Sequence, residues 1–191
     1  MTESREHDLA NLDLSPTEMR AMGEAVLARV VAHLAGLPDA PSCGDFRGIE
    51  ALCRSMRESV PEQGTALDAL LAPLFDEWIP RSFTAPGPGY LAYIPGGGIY
   101  PAALADFIAD TTNRYTGIWQ AAPALVQLEA NALDWLRDWM QFPAETRGLF
   151  TTGGSMAMFN AIACAREKLL GDDIRAGTLY VSSQSHHCIA K

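Results

Sequence analysis

The stretch that decides the fold reads Gly148-Leu-Phe-Thr-Thr-Gly-Gly-Ser155 and joins an apolar run to a helical pattern. The run Gly148 to Thr152 is short and rich in β-prone residues, so it predicts a strand. A helix is predicted from the glycine pair through Leu170, where Gly171 closes it. Thr178 to Ser182 predicts a second short strand. Strand, glycine turn, helix and strand form a βαβ unit, which predicts an α/β fold with a parallel sheet.

The glycine turn is a candidate phosphate site. A helix start offers unpaired backbone N–H groups and the positive end of the helix dipole. Gly153 and Gly154 allow close approach of the backbone, and Ser155 is predicted to cap the helix and donate its hydroxyl to an anion. The alternative is a tight turn with a capping serine that binds nothing. The stretch matches neither a Walker A loop nor a Rossmann fingerprint.

A second polar cluster follows the second predicted strand and reads Ser182-Ser-Gln-Ser-His-His187. Both clusters lie at the carboxyl ends of consecutive strands, where open α/β sheets bind ligands. A histidine here can stack on a planar ring or move protons, although a loop histidine bonded to backbone is the commoner situation. His186 and His187 are adjacent and do not easily point at one ligand. No further residues are spaced for a metal site.

Upstream of these clusters the sequence predicts mainly helices. Ser15-Pro-Thr-Glu18 predicts a capped helix start, and Gly36 with Pro38 stops that helix. A second helix is predicted from Ile49 to Val60. A third, over Leu67 to Ile79, has Thr65 as its predicted cap and a break at Pro73.

Two more helices are predicted at Tyr100 to Asn113 and Pro123 to Met140. The second carries an apolar stripe that is expected to be buried: Leu125, Leu128, Ala132, Trp135, Leu136 and Trp139. Between the third and fourth helices, the segment from Phe83 to Pro101 is too rich in glycine and proline for regular structure. Its interleaved aromatic residues favour a pocket wall over an ordinary surface connection.

The amino-acid composition and charge exclude some classes of function. Of the 191 residues, 48% are hydrophobic and 19% charged, as in ordinary globular proteins. The net charge of −9 argues against nucleic acid or an anionic membrane as partner, because both favour clustered basic residues. The four cysteines show no metal or disulfide pattern, no signal peptide begins the chain, and no run of roughly 18 apolar residues occurs. These features predict a soluble, cytoplasmic protein.

Four motifs in order resemble the group II pyridoxal-phosphate decarboxylases, which include the aromatic-L-amino-acid, histidine and glutamate decarboxylases. Two are the clusters above, as Gly148 to Ala161 and Ser182 to Lys191. The others are Tyr90-Leu-Ala-Tyr-Ile-Pro-Gly-Gly-Gly-Ile-Tyr-Pro-Ala-Ala-Leu-Ala-Asp106 and Trp119-Gln-Ala-Ala-Pro-Ala-Leu-Val-Gln-Leu-Glu129. The likeness covers the chain from about Ser15 onward.

This resemblance implies a fold-type-I, aminotransferase-like large domain, here incomplete. Residues 1–82 would be the helical segment that intertwines in a homodimer, and residues 83–191 the first part of the cofactor domain. The cofactor would be pyridoxal 5′-phosphate, and the substrate would be a small molecule, an amino acid.

The resemblance also assigns residues. Gly153, Gly154 and Ser155 match the phosphate-binding turn, and His186 the catalytic histidine that stacks on the pyridine ring. Four positions match the substrate side of the pocket: Tyr93, Ile94, Pro95 and Trp119. The implied chemistry is a Schiff base to the amino acid and loss of CO2, with the pyridinium ring as electron sink.

Departures from the family pattern are Ala122, where a serine often precedes the proline, and Met156 and Met158, which stand where relatives carry other residues. They affect the subfamily more than cofactor binding. The family's aspartate for the pyridine nitrogen and its Ser/Thr-x-His-Lys segment would lie beyond Lys191, which itself matches a different position. The 191 residues alone are therefore expected to be inactive.

Three functions remain open at this point. The first is decarboxylation of an L-amino acid, with a slight preference for an aromatic one. The second is another fold-type-I reaction, such as aldehyde synthesis, because small changes in a pocket redirect the chemistry. The third is a non-catalytic dimerisation or binding module that keeps the phosphate turn.

Overall fold

The computed structural model describes residues 14–93, 95–175 and 177–190. Within these ranges the regular structure is helical. The α-helices are α1 (Pro16–Gly36), α2 (Ile49–Ser55), α3 (Leu67–Pro73), α4 (Tyr100–Thr112), α5 (Pro123–Trp139) and α6 (Gly154–Leu170). The chain divides into two compact units, one up to Ile108 and one from Ala109 onward, and each is described by itself. The predicted division at residues 82 and 83 stays a prediction.

Helix α1 begins at the predicted capping box. The Glu18 N–H donates to Ser15 Oγ at 3.2 Å, and the Ser15 N–H donates back to Glu18 Oε2 at 2.8 Å. Two of the otherwise unpaired N–H groups of the first turn are thereby satisfied. The helix ends at Gly36, and Leu37–Asp39 adds a short 3-10 turn containing Pro38. Both predicted limits of α1 are confirmed.

The third helix changes its winding at Pro73, as predicted. Helix α3 ends there, Leu74–Trp78 follows as a π-helical turn, and Ile79–Arg81 as a 3-10 turn. The prediction that Thr65 caps this helix is wrong. Ala66 occupies the N-cap position without a side-chain hydrogen bond, because the helix begins one residue too late for the Thr65 hydroxyl.

Contacts with α1 hold this segment in the first unit. The Arg29 guanidinium donates to Asp76 Oδ1 at 2.8 Å, and the His33 ring meets the Phe75 ring edge-on at 6.3 Å. Leu71 on α3 is the one large hydrophobic side chain that is buried among the described residues, at 7% exposure. The core of this unit is therefore small.

A backbone crossing ties the loop after α1 to the segment after α3. Cys43 and Phe83 form an isolated antiparallel bridge, in which the Gly44 N–H donates to the Ser82 carbonyl at 3.0 Å. A Cβ at position 44 would overlap the Pro80 carbonyl oxygen, so this approach requires glycine. Beside the bridge, Phe83 contacts the rings of Phe46 and Tyr90.

The two predicted strands are absent as hydrogen-bonded strands in the part of the chain that the structure describes. Residues 148–151 and 177–182 have no regular secondary structure, and the Gly177 N–H instead closes a turn onto Ile174. A parallel strand exists only when a neighbour accepts its ladder bonds, and such neighbours come from distant parts of a sequence. Neither segment finds one within the described residues.

The predicted buried stripe of α5 is also wrong, because no element among the described residues covers it. Trp135 is 59% exposed and Trp139 76%. Four other members are also exposed or half-buried: Leu125, Leu128, Ala132 and Leu136. None of the helices in the described ranges combines the length and apolar character needed to span a membrane.

Candidate functional site

The start of α6 presents free backbone donors. Gly153 is the N-cap residue, and its carbonyl accepts the first intrahelical bond, from the Ala157 N–H at 3.1 Å. The N–H groups of Gly154, Ser155 and Met156 precede that bond and have no partner among the described residues. With 17 residues, α6 carries a full dipole, so its start is electropositive and suited to an anion.

Ser155 does not cap α6, which corrects the sequence prediction. The helix starts at Gly154, two residues earlier than a capping Ser155 requires, so Ser155 lies in the first turn. Its hydroxyl has no hydrogen-bond partner among the described residues and is available to a ligand. Added Cβ atoms at Gly153 and Gly154 would meet nothing within 4 Å, so the turn is open on its outer side.

Thr151 takes part in this turn, and the sequence reasoning missed its role. Its hydroxyl donates to the Gly153 carbonyl at 3.0 Å, which fixes the peptide that begins α6. The signal was present in the sequence, because a threonine shortly before a helix start often bonds to the backbone of the turn.

His186 lies on a structured turn rather than a free loop. It precedes the 3-10 turn His187–Ile189, and its Nδ1 accepts the Cys188 N–H at 3.2 Å. The His187 ring is stacked on it in a tilted arrangement, with centroids 4.1 Å apart and planes at 38°. This turn lies against α6 in the second unit, so the structure brings together the two elements that carry the predicted cofactor residues.

The polar residues before His186 form a compact turn of their own. The Ser185 N–H donates to the Ser182 carbonyl at 3.1 Å, and the Gln184 N–H donates to Ser182 Oγ at 3.3 Å. Ser182 thus holds the backbone that leads into His186.

The predicted substrate-side residues are described within their own units. Tyr93 is 87% exposed and has a left-handed φ of 58°, which is strained for an aromatic residue. Pro95 is also exposed, and Ile94 lies outside the described residues. In the second unit, Trp119 begins the 3-10 turn Trp119–Ala121 and is 60% exposed.

One cavity lies away from the predicted residues. It has a volume of about 500 Å³ and lies between α5 and the loop that follows, beside Arg137, Phe142 and Arg147. Arg137 donates to Asp138 Oδ1 at 2.9 Å and also pairs with Asp134. The hydrogen bond with Asp138 is the main cause of the raised pKa of Arg137. The guanidinium also donates to the Ala144 carbonyl oxygen at 3.4 Å and so links α5 to the loop that follows.

Metal-binding clusters are not found in the described ranges, where no group of three or more His, Cys, Asp or Glu side chains converges.

Comparison with known proteins identifies the family. Residues 50–191 match the model of the pyridoxal-dependent decarboxylase conserved domain. An aromatic-L-amino-acid decarboxylase from Bacillus atrophaeus is 32% identical over 179 residues, which cover 94% of this chain and 37% of that protein. Tryptophan decarboxylase 1 from Oryza sativa subsp. japonica is 30% identical, over 71% of this chain and 30% of that protein. The chain thus spans well under half of these relatives.

Solved structures agree on the fold. The Rhodiola rosea 4-hydroxyphenylacetaldehyde synthase superposes with a TM-score of 0.80 at 21% identity, over 93% of this chain and 40% of that one. The Oryza sativa TDC solved with PLP gives a TM-score of 0.70 at 23% identity, over 81% and 35%. The expected fold class, an incomplete fold-type-I large domain preceded by helices, is confirmed by these likenesses. The match over residues 50–191, together with the 32% identity to the Bacillus atrophaeus enzyme, shows that this chain belongs to the pyridoxal-dependent decarboxylase family.

Proposed function

We propose that this chain is the amino-terminal part of an enzyme that uses pyridoxal 5′-phosphate to decarboxylate an L-amino acid, releasing the amine and CO2. The observation that carries the proposal is the family match across residues 50–191, which contain both the open turn at the start of α6 and the His186 turn. The relatives named above support an aromatic substrate.

The residues at the start of α6 fit the phosphate of the cofactor. A phosphate carries negative charge and several acceptor oxygens, and the first turn supplies unpaired N–H donors with a positive dipole end. Gly153 and Gly154 leave room on the outer side, and the Ser155 hydroxyl has no competing partner. These three residues would hold the phosphate.

His186 would contact the ring of the cofactor. Its side chain is exposed, and the turn that follows it contacts α6, the helix that begins at the proposed phosphate turn. When bound, pyridoxal phosphate supplies the electron sink that makes loss of CO2 possible. The role of His186 is to orient that ring by stacking.

The substrate side of the proposal rests on Tyr93, Ile94, Pro95 and Trp119. Tyr93 and Trp119 are exposed aromatic side chains, and such rings can pack against the ring of an aromatic amino acid. The strained backbone of Tyr93 agrees with a functional position, because such conformations persist where the surroundings impose them.

A homodimer of a longer chain is the proposed working form. Apolar side chains of α1 such as Met19, at 56% exposure, and Val31, at 51%, provide a surface for a partner subunit. The curated relatives are more than twice as long as the part that matches. None of the 191 residues is assigned as the Schiff-base lysine, so activity would depend on residues outside them.

Aldehyde synthesis is not favoured by a specific observation. The aldehyde synthase structure is 21% identical to this chain and so supports the fold alone.

The first test is to sequence the gene downstream of codon 191. We expect an open frame that contains Ser/Thr-x-His-Lys, whereas an immediate stop codon would overturn the enzyme proposal for this chain.

The second test assays the protein from the complete reading frame with L-Dopa, L-tyrosine, L-tryptophan and L-glutamate, with and without pyridoxal phosphate. We expect amine and CO2 in equal amounts from an aromatic substrate, only with the cofactor. An aldehyde product, or no CO2 from any of the four, would contradict the proposed reaction.

A further inference from the structure

The imidazole of His186 is constrained at one of its two nitrogens. Nδ1 accepts the Cys188 N–H at 3.2 Å, so it offers a lone pair there and carries no proton. A neutral imidazole has one proton, which must then lie on Nε2. The bond comes from backbone two residues along the chain, so the turn itself sets the tautomer.

The same imidazole is also constrained at one of its two faces. The His187 ring lies on it at 4.1 Å and 38°, and no other aromatic ring contacts His186 among the described residues. One face of His186 is therefore occupied by its neighbour in sequence, and the side chain as a whole is exposed, which leaves its other face available to a ligand.

We propose that His187 is a positioning residue that holds the His186 ring from behind, so that His186 presents one open face and an Nε2–H donor to a planar, anionic ligand. The inference deepens the proposed function, since the ligand there is the cofactor ring with its bound amino acid. His187 itself touches neither. The Cys188 N–H sets which edge of His186 donates, and the His187 ring sets which face is free.

This arrangement has a physical advantage for a ring-stacking residue. An exposed histidine on a loop samples several rotamers and both tautomers, and binding must then order it. The ring pair and the backbone hydrogen bond order His186 before the ligand binds, so less conformational entropy is lost on binding. Removal of the His187 ring should therefore release the His186 ring without removing a ligand contact.

The test measures the state of His186 in the cofactor-free protein. Chemical modification by diethylpyrocarbonate, read by peptide mass spectrometry, reports the access of each histidine, and His33 in the first unit serves as the internal reference. We expect His187→Ala to increase the modification rate of His186 by about 2- to 10-fold, and His187→Phe to leave it near the original rate. The rate of His33 should not change in either variant.

A second measurement covers the tautomer. Long-range proton–nitrogen NMR of the chain with ¹⁵N-labelled histidine should give the Nε2–H pattern for neutral His186, and a mixture of tautomers in His187→Ala. Equal His186 rates in all three proteins, or an Nδ1–H pattern in the original chain, would overturn the proposal.

Cofactor binding separates this proposal from the proposed function. In the protein from the complete reading frame, His187→Ala should weaken pyridoxal phosphate binding by about 2- to 10-fold, and His187→Phe should restore it. If no variant binds the cofactor while the modification pattern is as expected, the proposed function fails and the positioning stands. If the cofactor binds and the modification rate of His186 is the same in the His187 variants, the positioning role of His187 is wrong and the proposed function stands.

Discussion

The Thr151 hydroxyl donates a hydrogen bond of 3.0 Å to the carbonyl oxygen of Gly153. That oxygen also accepts the first intrahelical bond of α6, from Ala157. The side chain therefore fixes the peptide from which the free N–H groups of the helix start project. We therefore expect Thr151 to orient the proposed phosphate site through this peptide.

Replacement of Thr151 by valine keeps the shape and removes the hydroxyl. Because a neutral hydrogen bond contributes about 0.5–1.5 kcal/mol, we expect pyridoxal phosphate affinity to fall by about 2- to 10-fold. Titration of the full-length protein by cofactor absorbance measures this change. Thr151→Ser should bind like the original protein, and equal weakening in the serine variant would contradict the proposed bond.

Replacement of Ser155 by alanine should have a larger effect. A hydroxyl that donates to a charged phosphate contributes about 1.5–3 kcal/mol, so we expect a loss of affinity of about 10- to 100-fold. The same titration applies, with Met156→Leu as a neighbouring control that should change little. If Ser155→Ala binds as tightly as the control, Ser155 is not a phosphate ligand.

The small core of the first unit should depend on Leu71. This side chain is 7% exposed, whereas its neighbour Leu70 is 48% exposed. We expect Leu71→Ala to lower the free energy of unfolding by about 2–4 kcal/mol, and Leu70→Ala by less than about 1 kcal/mol. Urea unfolding followed by circular dichroism compares the two. Equal losses would mean that Leu70 is covered in solution.

The capping box should make the stability of α1 depend on pH. Hydrogen bonding with the Ser15 side chain, and next with the Ser15 backbone N–H, lowers the pKa of Glu18 below its ordinary 4.5. A lowered pKa in the folded state means that the contribution is present above pH 4.5 and is lost as pH falls through the folded value.

Thermal unfolding of the original protein and of Glu18→Gln tests this dependence. We expect the original protein to be more stable at about pH 7, and the difference to be smaller at about pH 3, because Glu18 comes to resemble glutamine as the pH falls through its lowered pKa. A constant difference at both pH values would show that the carboxylate charge is not involved.

The helices were predictable because their signals are local. Ser15 with Glu18, Gly36 with Pro38, and Gly171 at the end of α6 all act within one turn of the residues they cap or stop. Gly171 has a left-handed φ of 59°, the conformation that glycine adopts most readily. Such positions need no knowledge of the rest of the chain.

The sequence predictions were wrong where the structure depends on residues far away in the sequence, or on the exact residue at which a helix begins. The strands at residues 148–152 and 178–182 depend on ladder partners that local patterns do not specify. The exposed face of α5, with Trp139, depends on a covering layer. Thr65 lies one residue from the N-cap of α3 and Ser155 two residues from the N-cap of α6, shifts within the uncertainty of any helix limit. The contact between His186 and His187 depends on the backbone turn at Cys188.

The winding change after Pro73 has a consequence for α1. Phe75 and Asp76 are consecutive in the π-helical turn, yet they contact His33 and Arg29, which are four residues apart and so one turn apart on α1. A slide of α1 along its axis by one turn, about 5.4 Å, would bring Ala25 opposite Asp76 and break the ion pair. The contacts of the π-helical turn thus fix the position of α1 along its own axis.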